Sequence, residues 1–522
     1  MTPLIGRSDS NVSQEAIESY AKLMEQAKRP WETAFIRARD GDVVAADSPW
    51  KSLWNFDSVK KEEKDTKNRN SSHPLRGQLT PMLFDTNDDN PLCEMTFVYD
   101  ARSLKLFGND RWSRKRVEVQ LPKMEARLSG SLSPYYMAYH IVAVGHTLVG
   151  YRGDIVFAVD CSGTEAKLLW HKKLLQSEDI QSGMFNVLAQ MRVARMQIRN
   201  RNIASAPRSI CAGDDYACFH SRDGLVAVEP TTGNVIWTRD DVPMGCDLVG
   251  GSEHIVASSL AGEPSFVFRA SDGVLLRRAK LPRVYDRVAI VHGTSVFLVD
   301  AEAKKKKVTR FNPADGEFLW SREIPAESLV ASWRNEIAIL SIQGKAEFLD
   351  SATGESQLTS ELGDLKNAEH LTLMRFGDKR LLAVDIQEPN KKRSPIFRRA
   401  YVGQKFLDGK LFAVNVSDGK KAWEQDVEGQ LFNVQQPSLT PIFLMANRFQ
   451  GAVANGNFGY RYQPPELRVL CLDVRNGDKL YERTQKNWGY MASYLLDMST
   501  EKANTYSLEI YDKTINLEFV TK

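Results

Sequence analysis

The chain has 522 residues, 42% hydrophobic and 26% charged, with 69 Lys and Arg set against 66 Asp and Glu. That length holds several average domains or one large repeat architecture, and the near-neutral balance gives no global field to draw the protein onto nucleic acid or an anionic membrane. No run of roughly 18 apolar residues is present to span a bilayer as a helix, and the six scattered cysteines include no Cys-x-x-Cys pair with histidines spaced to hold zinc.

From the N-terminus, residues 1–54 read as a helical and irregular segment. Ser13 can cap a helix that runs to Lys28, Glu15 follows in its first turn, and Ile17, Tyr20, Leu23, Met24 and Ala27 make one apolar stripe. Met1–Asn11 lacks the apolar stretch of a secretory leader. At face value this places the chain in the cytoplasm, or in the cell envelope if Met1 lies inside a longer exported product. Residues 55–90, centred on KKEEKDTKNRNSSHP, are charged and aperiodic and read as a polar linker.

Strand signals begin near Leu79, and the main domain is assigned to 91–522. Short runs such as IVAVGHTLVGY (141–151), HIVASSL (254–260) and VAIVHGTSVFLVD (288–300) alternate with Gly, Asp and Asn turns. One phrase recurs in them: an apolar strand, an acidic or amide residue, a turn glycine, and an aromatic residue four positions later. It pairs Gly233 with Trp237, Gly316 with Trp320, Gly419 with Trp423 and Gly477 with Tyr481. Weaker copies follow Gly273 with Arg277 and Gly354 with Leu358, and an irregular one leads from Gly163 to Trp170.

The glycine supplies the positive φ of a tight hairpin, and the ring is a large apolar body to bury against a neighbouring sheet. Successive glycines lie 70, 40, 43, 38, 65 and 58 residues apart. The short gaps suit one four-stranded propeller blade of about 40–50 residues, and the long ones a blade plus an insertion. The expected fold is an all-β propeller of seven or eight four-stranded blades, eight preferred. In it, strands near 96–107 and 506–520 complete a shared closing blade. The wedged rings at Trp237, Trp320 and Trp423 are expected to hold their junctions more tightly than Arg277 or Leu358.

Leu225-Val226-Ala227-Val228 with Gly233 and Trp237, and Leu411-Phe412-Ala413-Val414 with Gly419 and Trp423, resemble the pyrroloquinoline-quinone-type (PQQ-like) repeat family over about residues 131–490. The resemblance implies a propeller and either of two roles: a quinoprotein oxidoreductase or a non-enzymatic module. The alcohol-oxidising members carry an adjacent Cys-Cys pair over the quinone, and no two cysteines are adjacent here. No catalytic or metal residue is therefore carried over, and neither PQQ nor another cofactor is expected. The leading expectation is a binding or scaffolding module for a protein or small ligand. Its rival is a propeller enzyme whose active site leaves no linear motif.

Insertions at 175–204, 387–406 and 446–467 are the candidate recognition loops. In the first, Met184, Leu188 and Met191 fall near one helical face, and Arg192, Arg195 and Arg199 form a basic stripe. These six residues are the candidate partner site, and a helix that merely caps the propeller is the competing reading. The run Lys304–Lys307 reads as a solvated hairpin tip.

Overall fold

The structure is a computed structural model that describes residues, with breaks at loops, in the stretches 58–65, 79–122, 139–174, 210–279, 288–386, 404–434, 442–486 and 494–520. The expected helix at Ser13–Lys28, the six candidate residues from Met184 to Arg199, Gly163 and the body of the 387–406 insertion lie outside the described residues. Those that are described contain no helix.

The strands form antiparallel sheets of consecutive members. The spans 79–120, 210–239, 247–279, 288–325, 329–361 and 368–433 each make a four-stranded sheet. The span 139–173 does likewise and gains Leu83–Asp85 as a parallel fifth strand against Tyr139–Val144. The span 442–486 makes a three-stranded sheet, with a separate hairpin, Ala452–Ala454 against Tyr460–Tyr462, inside the expected insertion.

The chain ends depart from the sequence reading. Met95–Asp100 and Lys105–Asp110 belong to the 79–120 sheet, and not to a blade shared with the C-terminus. The last sheet is completed instead by Ser58–Asp65, which runs antiparallel to Lys513–Val520 in continuous register from Ser58↔Val520 to Asp65↔Lys513. This strand comes from the stretch read as a linker. Its sequence, SVKKEEKD, has no apolar alternation, because an edge strand is held by main-chain bonds and needs no buried face. Nine blade-type sheets thus follow one another among the described residues, the last of them shared between Ser58–Asp65 and the C-terminal strands.

The stacking of sheets shows in the alternation of side chains. In Gly224–Val228 every residue is buried. Leu225 and Ala227 join the core shared with the 247–279 sheet, around Leu248, Ile255 and Phe268. Val226 and Val228 join the opposite core, with Val142, Val156 and Val149 of the 139–173 sheet. A strand with a period of two and a sheet on each side must be apolar throughout. This is why these runs read as continuous apolar segments.

The repeated turn is the joint between sheets. The Gly233 N–H donates to the Glu229 carbonyl at 2.8 Å, and Gly233 has φ +71°. The Glu229 carboxylate accepts from the N–H and hydroxyl groups of Thr231 and Thr232. Burial works to raise its pKa, but these four bonds outweigh burial and hold it at about 2. The turns at Gly273, Gly316, Gly354, Gly419 and Gly477 repeat the same main-chain bonding.

Each turn then receives a side chain from the preceding sheet. The indole N–H groups of Trp170, Trp237, Trp320 and Trp423 donate to the carbonyls of Pro230, Ala270, Ser351 and Val474 at 2.8, 2.7, 3.0 and 2.8 Å. The ring lies flat over the next turn's glycine. A Cβ on Gly233 would sit 2.7 Å from Trp170, and one on Gly477 would sit 2.8 Å from Trp423. Glycine is thus required twice, for its φ and for close approach.

Where the ring is missing, other residues bridge the junction. Arg277 donates to the Ala314 carbonyl and lies beside Gly316, as an indole would. Its guanidinium is thus engaged with the neighbouring turn, although its Nε is buried with no hydrogen-bond partner. At the Leu358 junction, Arg380 of the following sheet is 3% exposed. It donates through Nε to both Glu336 carboxylate oxygens at 2.8 Å and through NH1 to the Val416 carbonyl at 3.1 Å. It also stacks 4.6 Å over Phe348. The turn carbonyl that a tryptophan would have taken is thus held from within its own sheet, and the ion pair to Glu336 crosses to the neighbouring one.

Candidate functional site

The docked rings determine what the outermost strands present to solvent. With Trp or Arg turned toward the next sheet, the residue just before it must face the other way. That position is Leu169, Ile236, Leu276 and Leu319 in four successive sheets, and these side chains are 39, 43, 43 and 49% exposed. Each C-terminal hairpin is irregular at this point. Ala227 pairs with Trp237 and Val228 with Val235, so Ile236 is left without a cross-strand partner in the ladder. The same shift recurs at Val267/Phe268 and Arg310/Phe311.

Val235, Val274 and Phe318 are also exposed and extend the stripe. The four strands that carry it, Lys167–Lys173, Val235–Arg239, Leu275–Ala279 and Phe318–Pro325, are each the last in their sheet, so their outer main-chain edge is unpaired within the sheet. In the following two sheets the matching residues are Gln357 and Ala422, and the run of large apolar side chains stops. Exposed Lys167, Lys173 and Arg278 stand on the same strands. Arg278 lies 5.3 Å over the Phe266 ring, with Asp241 4.0 Å away.

This rim was not singled out in the sequence reading. The signal was available in KLLW, NVIW, VLLR and EFLW against ESQL and KKAW. The apolar residue one step before the ring in these four copies is exposed, and it falls at the irregular point of the outermost strand.

The lysine run also differs from its expected role. Lys305–Lys307 open the strand Lys305–Phe311 and do not form a hairpin tip. Lys305 pairs with Glu323 at 2.5 Å, and Lys306 donates to the Ser328 carbonyl at 2.7 Å. Two adjacent carboxylates, Asp214 and Asp215, occupy an exposed turn between Ile210–Ala212 and Ala217–Ser221. Cys211 and Cys218 face one another across that hairpin as buried free thiols, and burial pushes the Cys218 thiol up.

Successive four-stranded antiparallel sheets, stacked face to face and pinned by a side chain reaching into the neighbour's turn, define a β-propeller. The family model described as outer membrane protein assembly factor BamB matches residues 221–385 and 304–497, overlapping itself across the repeats. Those matches span more than half of the chain, and the protein belongs to this PQQ-like propeller family.

No curated protein matches the chain in sequence. Among solved structures it is similar to BamB from Moraxella catarrhalis, with 14% identity over 59% of this chain and 82% of that one and a TM-score of 0.32. It is similar to the WD40 domain of SCAP from fission yeast, with 8% identity over 88% and 98% and a TM-score of 0.38. A europium-containing methanol dehydrogenase is similar at 10% identity over 70% and 81%, with a TM-score of 0.31.

Proposed function

We propose that the protein is a docking scaffold that holds another polypeptide along the outer rim of the 139–325 sheets. The observation that carries this reading is the run of exposed Leu169, Ile236, Leu276 and Leu319 on four successive edge strands. Large apolar side chains left exposed at the same position of four successive edge strands favour a surface that another chain covers. An open strand edge offers main-chain pairing to an extended segment, with side-chain pockets supplying selectivity. The cationic flank of Lys167, Lys173 and Arg278 favours a segment with acidic residues beside its apolar ones. The family's description as an assembly factor accords with holding another chain and requires no quinone.

The test is site-specific photo-crosslinking in the native cell, with the reactive residue placed at Ile236 or Leu319 and, as control, at Gln357. Adducts to one shared partner from both rim positions, absent from the Gln357 position and abolished by combined Ile236→Asp and Leu276→Asp, are expected. Adducts of equal yield at Gln357, or none at the rim, would overturn the reading.

A further inference from the structure

In the 368–433 sheet two strand pairings carry irregularities at the same end. Along Ala368–Phe376 and Lys379–Ile386 the register runs Ala368↔Ile386 and then His370↔Asp385, so Glu369 is an extra residue. In a regular strand Glu369 and His370 would face opposite sides of the sheet; a bulge removes that alternation and re-aims a side chain. The outcome is that ligand atoms of Glu369, His370 and Asp385 all lie within 4.8 Å of one another.

Asp385 is 5% exposed, Glu369 half-buried and His370 exposed, so the cluster is rooted in the sheet and open on one side. The buried carboxylate is held in place: its Oδ1 accepts the Asp408 N–H at 3.1 Å. Asp408 sits in a second irregularity, between Leu407 and Gly409, where it stands alone against two residues, Glu428 and Gly429, of the partner strand, and its carboxylate accepts the Gly429 N–H at 3.3 Å. A ligand oriented by a fixed outer hydrogen bond is how proteins prepare metal sites.

We propose that Glu369, His370 and Asp385 bind one divalent transition cation of the zinc type, with a coordination position left open toward solvent. Glu369 and Asp385 supply two carboxylate ligands within reach of a single cation. The imidazole decides the class. Calcium and magnesium take oxygen ligands, whereas an N/O set of one histidine and two carboxylates suits zinc or its first-row neighbours. Three protein ligands leave the fourth tetrahedral position for water or a further ligand. This site is separate from the apolar rim and does not rest on it.

The test titrates the metal-free full chain with Zn2+ against a chromophoric chelator, and with Co2+ by visible absorption. One tight equivalent is expected, with a Co2+ spectrum showing d–d bands and no thiolate charge transfer. His370→Ala and Glu369→Gln should each weaken that equivalent at least ~10-fold while leaving the melting temperature of the metal-free protein unchanged. Asp385→Asn alters a buried side chain and risks unfolding the sheet, so the two accessible variants decide the outcome. Unaltered Zn2+ binding in both, a Co2+ spectrum dominated by thiolate, or Ca2+ displacing Zn2+ would overturn the proposal.

Discussion

Trp237 and Gly273 lie in different sheets yet form one joint. The indole N–H reaches the carbonyl of Ala270, three residues before the glycine, at 2.7 Å, and a Cβ on Gly273 would come within 2.6 Å of the ring. Every blade that follows a tryptophan repeats this relation, so the repeat phrase is a pair of half-sites. Its glycine serves the blade before, and its aromatic residue serves the blade after.

Trp237→Ala should therefore cost about 3–5 kcal/mol, the usual loss for a large buried ring. Gly273→Ala should also destabilise, because it adds a Cβ at φ +69° and presses it into the indole. The double variant should lose less than the sum, since alanine at 273 no longer meets a ring once Trp237 is gone. Urea denaturation of the four proteins of this cycle measures the coupling, and strict additivity would show that the two residues do not act as one joint.

At the Leu358 junction the fastening is ionic, and it should respond differently. Arg380→Met alone leaves the Glu336 carboxylate without its guanidinium and should destabilise by about 3–5 kcal/mol. Combining it with Glu336→Leu should recover most of that loss, because a fitted apolar pair avoids burying charge. Hydrogen exchange over residues 329–361 and 379–415 reports whether the damage stays at this junction.

The Arg277 junction should open before the tryptophan junctions. Arg277 keeps the donor to Ala314 but leaves its own Nε buried without a hydrogen-bond partner, which an indole avoids. Peptides spanning 265–279 and 305–320 should exchange earlier than those spanning 225–239. Equal protection across the three would count against it.

Acid should loosen the Gly233 turn within a defined window. The Glu229 carboxyl sits at about 2 in the folded protein against an ordinary 4.5. Between those values the unfolded chain binds the proton and the folded one does not. The contribution is therefore complete above 4.5 and is lost as pH falls toward 2. Glu229→Gln should flatten this part of the stability profile, measured by denaturant midpoints at stepped pH.

Incubation with PQQ and Ca2+ should produce no new chromophore and no dye-linked oxidation of alcohols or sugars. Appearance of either would favour the enzymatic alternative over the scaffold.

Local chemistry was legible in the sequence because it repeats. A turn needing positive φ, four residues, then a ring: this register is set within one hairpin, and copies such as Gly233–Trp237 and Gly419–Trp423 show it without reference to any other part of the chain. The continuous apolar runs likewise follow from strands buried on both faces. What the tertiary structure decided involves groups that the repeat phrase does not connect. Trp237 reaches the turn of the next blade, Arg380 takes over at a junction with no ring, and a single extra residue at Glu369 gathers three side chains of ligand type. Ser58–Asp65 is the plainest case. It pairs with Lys513–Val520 through main-chain bonds, and main-chain groups are the same in every residue, so no side-chain pattern announces the partner.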